Sequence, residues 1–137
     1  MKTIGRVETA TFPVWNIEDL PVKVDTGAYT SSIHCKHIVE KDGQLAFKLL
    51  CPKTEKYNNQ LITTTNYKIK KVRSSNGKIQ KRYLVKTSVL FFGKRYRVEF
   101  SLANRSKMSY PVLIGRKFLT KKFVVDVSKK NLADNIK

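Results

Sequence analysis

The chain has 137 residues, with 28 Lys and Arg against 10 Asp and Glu and a formal charge of +18. That length gives one domain with one modest core and leaves no room for a separate ATP-binding module. No apolar run approaches the roughly 20 residues of a membrane span, and MKTIGRVET lacks the apolar core of a secretory signal, so the expectation is a cytoplasmic protein with no membrane contact.

Thr3 to Phe12 alternates weakly, with Ile4, Val7, Ala10 and Phe12 pointing inward, and reads as a first strand. Pro13, Asn16 and Glu18-Asp19 break it before Leu20 to Val24 restarts β-structure. Trp15, the one tryptophan, reads as a core or loop anchor. After a turn at Asp25, Ser32 to Val39 forms a strand, and Lys41-Asp42-Gly43 turns it into Gln44 to Cys51. Pro52 to Gln60 is a polar loop, and Leu61 to Val72 has the Thr, Ile and Tyr content of a pleated surface.

Asn76-Gly77 is a strong hairpin signal. Lys78 to Phe92 and Lys94 to Leu102 make a further hairpin about Gly93, with Tyr96, Val98, Phe100 and Leu102 on an apolar face. Ala103 to Tyr110 is a polar connection, Val112 to Ile114 a buried strand, Arg116 to Lys121 a short helix, and Phe123 to Val127 a closing strand. The predicted architecture is all-β, a small barrel with one short helix over residues 1–128 and a polar tail at 129–137.

The chemistry concentrates at Val22-Lys23-Val24-Asp25-Thr26-Gly27, where a short apolar strand delivers a carboxylate into a tight turn. Gly27 supplies backbone angles that residues with a Cβ avoid. Asp-Thr-Gly is also good turn chemistry, so Asp25 can be a structural turn residue as well as an acid for catalysis. Downstream, Val112-Leu113-Ile114-Gly115-Arg116 is a second short strand ending at a glycine.

Four ordered blocks, KVDTGAYTSSIH, VRSSNGK, NRSKMSYPVLIGRKFL and FVVDVS, resemble the retropepsin-like aspartic proteases. More narrowly, the chain from about Ile4 to Ser128 is similar to the family labelled ATP-dependent zinc proteases, to which the RimB proteins belong. The resemblance implies a homodimeric aspartic peptidase in which each subunit gives one catalytic aspartate, Asp25, to a proton-sharing pair. It places Thr26, Gly27, Ala28, Thr30 and Ser31 in the active-site loop, and Ser74, Ser75, Asn76 and Gly77 at the tip of a flap. Ile114, Gly115, Arg116 and Asp126 are the supporting residues. It also implies an acidic substrate, such as oligoglutamate added to a ribosomal protein.

Several features depart from viral retropepsins. The flap is basic, flanked by Lys70, Lys71, Arg73, Lys78, Lys81 and Arg82, and suits an acidic peptide unless these lysines merely blunt a sheet edge. Tyr29-Thr30-Ser31 lacks the acid that pairs with the arginine after the glycine, leaving Arg116 to pair with Asp126 or a substrate carboxylate.

No cofactor is expected. Strand alternation puts Cys35 and His37 on one face with His34 opposite, but there is no HExxH and no phosphate-cradling GxxxxGK[ST], so neither a metal nor ATP is assigned. Cys35 and Cys51 are too few for a disulfide framework and read as buried free thiols. The positive charge attracts nucleic acid, the ribosome, acidic peptides or anionic lipid, or is a solvated surface spread along the chain. The alternative function is therefore a non-catalytic basic module holding RNA or a ribosomal partner on the same scaffold.

Overall fold

A computed structural model describes residues 1–73 and 76–135. Ser74 and Ser75, assigned above to the flap tip, lie outside the described residues. Among the described residues eleven strands form: β1 (Lys2–Ile4), β2 (Val7–Phe12), β3 (Ile17–Val24), β4 (Ser31–Lys41), β5 (Gln44–Leu49), β6 (Ile62–Thr64), β7 (Lys68–Arg73), β8 (Ile79–Phe91), β9 (Lys94–Ala103), β10 (Val112–Ile114) and β11 (Phe123–Val125). One four-residue helix, α1 (Arg116–Leu119), joins the last two.

Six strands close on themselves. In order, β10, β3, β2, β8, β9 and β4 each pair with the next, and β4 pairs back onto β10. Closure removes the unpaired edges that an open sheet would present. Two features hang on the ring: β5 and β6 extend from β4, and β7 folds back on β8 as a projecting hairpin. The chain is thus all-β, as its patterning predicts.

The barrel holds an aromatic core. Phe12 stacks on Trp15 at 6.0 Å, and Phe100 meets Phe12 edge-on at 5.7 Å. Trp15 is 3% exposed and is a core anchor. Both thiols are free and buried. Cys35 Sγ donates to the Lys48 carbonyl at 3.2 Å, and burial pushes its pKa up to about 12, the form of an inert structural thiol.

Several expected elements are redrawn by contacts from distant parts of the chain. The first strand divides at Gly5, because a Cβ there would lie 2.5 Å from the Lys129 carbonyl oxygen. Arg6 N–H donates to that same oxygen at 2.8 Å. Residues 129–135, polar in composition, pack against the start of the barrel. There the fully buried Glu8 accepts Gly5 N–H through Oε2 (2.7 Å) and Ala133 N–H through Oε1 (2.9 Å). The Phe123–Val125 strand does not close the barrel; it pairs in parallel with β1, and β10 makes the closure. The helix stops two residues early, where Thr120 Oγ1 donates to the Arg116 carbonyl and Lys121 takes a φ of 66°.

The expected alternation of His34, Cys35 and His37 is also broken. Cys35 pairs with Leu49 and His37 with Lys48, so Lys36 is the extra residue of a bulge. His34 and Cys35 are consequently both buried, while His37 is exposed.

Candidate active site

The site is built where two parallel strands end together. Val112, Leu113 and Ile114 of β10 lie opposite Val22, Lys23 and Val24 of β3, which places Asp25 and Gly115 side by side as each strand finishes. Asp25 N–H donates to the Ile114 carbonyl at 2.9 Å, extending the ladder by one bond into the turn.

The turn is held from within and from behind. Asp25 Oδ1 accepts Gly27 N–H at 2.9 Å, the side-chain-to-backbone bond typical of an Asp-initiated turn. Gly27 does not take a left-handed φ, contrary to expectation. Its lack of a side chain serves closeness instead, since a Cβ would sit 3.2 Å from Asp25 Oδ1. From behind, Arg116 N–H donates to the Ala28 carbonyl at 2.8 Å and Lys117 N–H to that of Tyr29 at 2.9 Å. Gly115 fits because a Cβ there would lie 2.7 Å from Tyr29 O. The buried Ser31 Oγ accepts Gly115 N–H at 3.0 Å and locks the two segments together.

Asp25 is half-buried, with Thr26 and Gly27 exposed beside it and Thr30 half-buried. Among the described residues its second oxygen has no hydrogen bond, so one oxygen fixes the turn and the other is left for a further partner. A carboxylate so placed can take a proton from water or share one with a second acid.

Arg116 and Asp126 do not meet. The Arg116 guanidinium donates to the Thr26 carbonyl at 3.0 Å and lies over the Tyr29 ring at 5.8 Å. A carbonyl and an aromatic face thus take the place of the missing acid. Asp126 accepts Ser128 N–H and Oγ–H and lies 3.9 Å from Lys129 Nζ, which together lower its pKa.

The β7–β8 hairpin runs in register from Lys68 opposite Leu84 to Arg73 opposite Ile79. Lys70, Lys71, Arg73, Lys78, Lys81 and Arg82 are all exposed on it, as are Asn76 and Gly77 at the tip. Its base is tied to β4 by the Tyr67 and Tyr83 hydroxyls, both donating to Glu40.

Arg105 was passed over in the sequence as part of a polar connection. Its backbone N–H donates to His34 Nδ1 at 2.8 Å, its Nε to the Tyr110 carbonyl at 3.3 Å, and its Nη1 to Ser32 Oγ at 3.4 Å. Burial lowers its pKa, and the negative charge of Asp25 opposes that shift. His34 is 1% exposed, and burial lowers its pKa too, with Lys36 and Arg105 adding to the effect against the Ala103 carbonyl. Only the position of Arg105 inside the NRSKMSYP block could have marked it out from the other cations.

The chain is 33% identical over 132 residues to a probable alpha-L-glutamate ligase of Shewanella halifaxensis and 26% identical over 129 residues to one of Desulfotalea psychrophila. In each case the match covers 91% of this chain but 28% of the relative, so the chain spans under a third of the length of these curated relatives. A crystal structure of a protein of unknown function from Legionella pneumophila superposes with a TM-score of 0.74 at 27% identity, covering 96% of this chain and 98% of that one. The family model described as retropepsin-like aspartic endopeptidase RimB matches residues 3–135. With that match over nearly its whole length, and with the paired β3 and β10 ends that carry Asp25 and Gly115, the chain belongs to the RimB-like family of retropepsin-like aspartic endopeptidases.

Proposed function

We propose that the protein is an aspartic endopeptidase that works as a homodimer and cuts acidic peptides, with Asp25 of each subunit as its catalytic residue. Each chain offers one such carboxylate, held by Gly27 N–H at the end of paired strands, in a family of aspartic endopeptidases; that placement carries the proposal. Two copies facing each other bring two carboxylates around one water. Adjacent acids cannot both ionise cheaply, so they share a proton. The ionised partner takes a proton from water as it attacks the scissile carbonyl, and the protonated partner donates to the carbonyl oxygen.

An oligoglutamate substrate is supported by charge and by the company the domain keeps. The formal charge is +18, and the β7–β8 hairpin presents exposed cations. Related sequence also occurs within longer proteins named as glutamate ligases. A domain that removes glutamates and one that adds them would act on the same tail.

Asp25→Asn tests the acid directly. It should abolish cleavage of a quenched oligoglutamate peptide, while sedimentation shows a dimer for both forms. Unchanged cleavage would remove Asp25 from the reaction, and a strict monomer with full activity would remove the dyad. The exposed hairpin cations favour a second reading, a binding module for RNA or a ribosomal partner. It predicts that Asp25→Asn leaves the measured activity, polyanion binding, intact and that no peptide is cut by either form.

A further inference from the structure

Beside the Asp25 loop lies a cavity of about 640 Å³, whose wall includes Arg105, His34, Lys36, Lys53 and Lys107, with Glu55 as the single acid. Asp25 stands outside that wall. Arg105 links the two places: its Nη1 reaches Ser32, one residue into the strand that leaves the loop, and its charge interacts with Asp25.

Half-buried charge is normally paired, because removing an ion from water is costly unless an opposite charge or hydrogen bonds replace the water. Arg105 is half-buried, yet among the described residues no carboxylate lies within ion-pair distance of it. Its side chain donates through Nε and Nη1 to neutral oxygens at 3.3 and 3.4 Å, and Nη2 has no hydrogen bond among the described residues. A guanidinium is a planar fork suited to two carboxylate oxygens. Its backbone is fixed by the buried His34, so it is positioned by the fold and not by a charged partner.

We propose that this cavity is a carboxylate-binding subsite in which Arg105 receives a glutamate side chain adjoining the scissile bond. Lys36, Lys53 and Lys107 at the exposed rim attract the neighbouring carboxylates of the tail. Selection for acidic sequence then resides in Arg105, and it acts together with the Asp25 cleavage proposed above.

The test is selectivity between an oligoglutamate peptide and its oligoglutamine counterpart. Arg105→Gln removes the side-chain donors but keeps the backbone bond to His34. It should lower the ratio of kcat/KM for the two peptides by about 10- to 100-fold, the range of a hydrogen-bonded charge pair. Arg105→Lys, which keeps charge without the fork, should fall between. An equal loss on both peptides, or no loss, overturns the subsite while leaving Asp25 cleavage standing.

If the unaltered chain cuts neither peptide, cleavage is what has failed. Oligoglutamate titrated against the arginine Nε–H signals of the chain then decides the subsite: a shift at Arg105 supports it and no shift overturns it. Should Arg105→Gln fail to fold, the exposed pair Lys53→Gln and Lys107→Gln replaces it. A selectivity loss of a few-fold that disappears at high salt supports the subsite, and no loss overturns it.

Discussion

The Asp25 loop and the β7–β8 hairpin are both reversals of the chain, and they are specified in opposite ways. The loop is defined by its backing: main-chain bonds from Arg116 and Lys117, a serine hydroxyl, and a glycine where no side chain fits. The hairpin is defined mainly by cross-strand pairing and by two tyrosine hydroxyls at its base, and its cations stand exposed. One region trades all sequence freedom for a fixed carboxylate. The other keeps its freedom and uses it to carry charge, including like charges facing each other at Lys70 opposite Arg82 and Lys71 opposite Lys81.

The sharpest way to break that contrast is Gly115→Ala. The added methyl would meet backbone atoms of Ala28 and Tyr29 at 2.7–2.9 Å, and backbone cannot swing aside as a flexible side chain can. Overpacking of this kind costs roughly 3 kcal/mol, which lowers the melting temperature by roughly 10 °C in a chain of this size. Activity should fall further than stability alone accounts for, because the loop that yields is the one holding Asp25. A melting temperature within a degree or so of the parent would show that the loop is not rigidly backed.

What could be read from the sequence divides along the same line. Features written locally were legible: Asp25 ends an apolar strand, and the hairpins at Asp42-Gly43 and Phe92-Gly93 have both turn residues in the left-handed region. The second strand end at Gly115 was legible too, since a short apolar run ending in glycine announces itself. Features imposed by the far end of the chain were not. Gly5 divides the first strand because Lys129 packs on it, and Lys36 bulges out of β4 through its register with β5. Arg105 was hidden for a related reason: among 28 cations, it is set apart by its half-buried position and by what lies nearby.

A smaller effect tests how the Arg105 segment is held. His34 Nδ1 accepts Arg105 N–H, which requires the ring to be neutral at that nitrogen. Burial lowers the His34 pKa below its ordinary value of 6.5. The sign follows from linkage: below that value the unfolded chain takes up a proton that the folded chain refuses. The full stability is therefore present above about pH 6.5 and declines on acidification toward the lowered folded pKa. Chemical denaturation across that range should show the decline. His34→Asn, which can still accept the Arg105 N–H but does not titrate, should flatten the slope whatever its absolute stability. A slope unchanged by that substitution would assign the pH dependence to other groups.

The smallest expected change carries opposite signs in two measurements. Lys71 faces Lys81 across the hairpin, and like charges directly opposite destabilise a pair of strands. Lys71→Glu turns that repulsion into attraction and should stabilise the chain by about 0.2–1 kcal/mol. If the basic face exists to hold acidic peptide, the same substitution should weaken oligoglutamate binding at low salt, with the difference shrinking as salt screens the field. Gains in both stability and affinity would mean that the cations only keep the hairpin soluble. A gain in one with a loss in the other means that this surface tolerates internal repulsion because a polyanion relieves it.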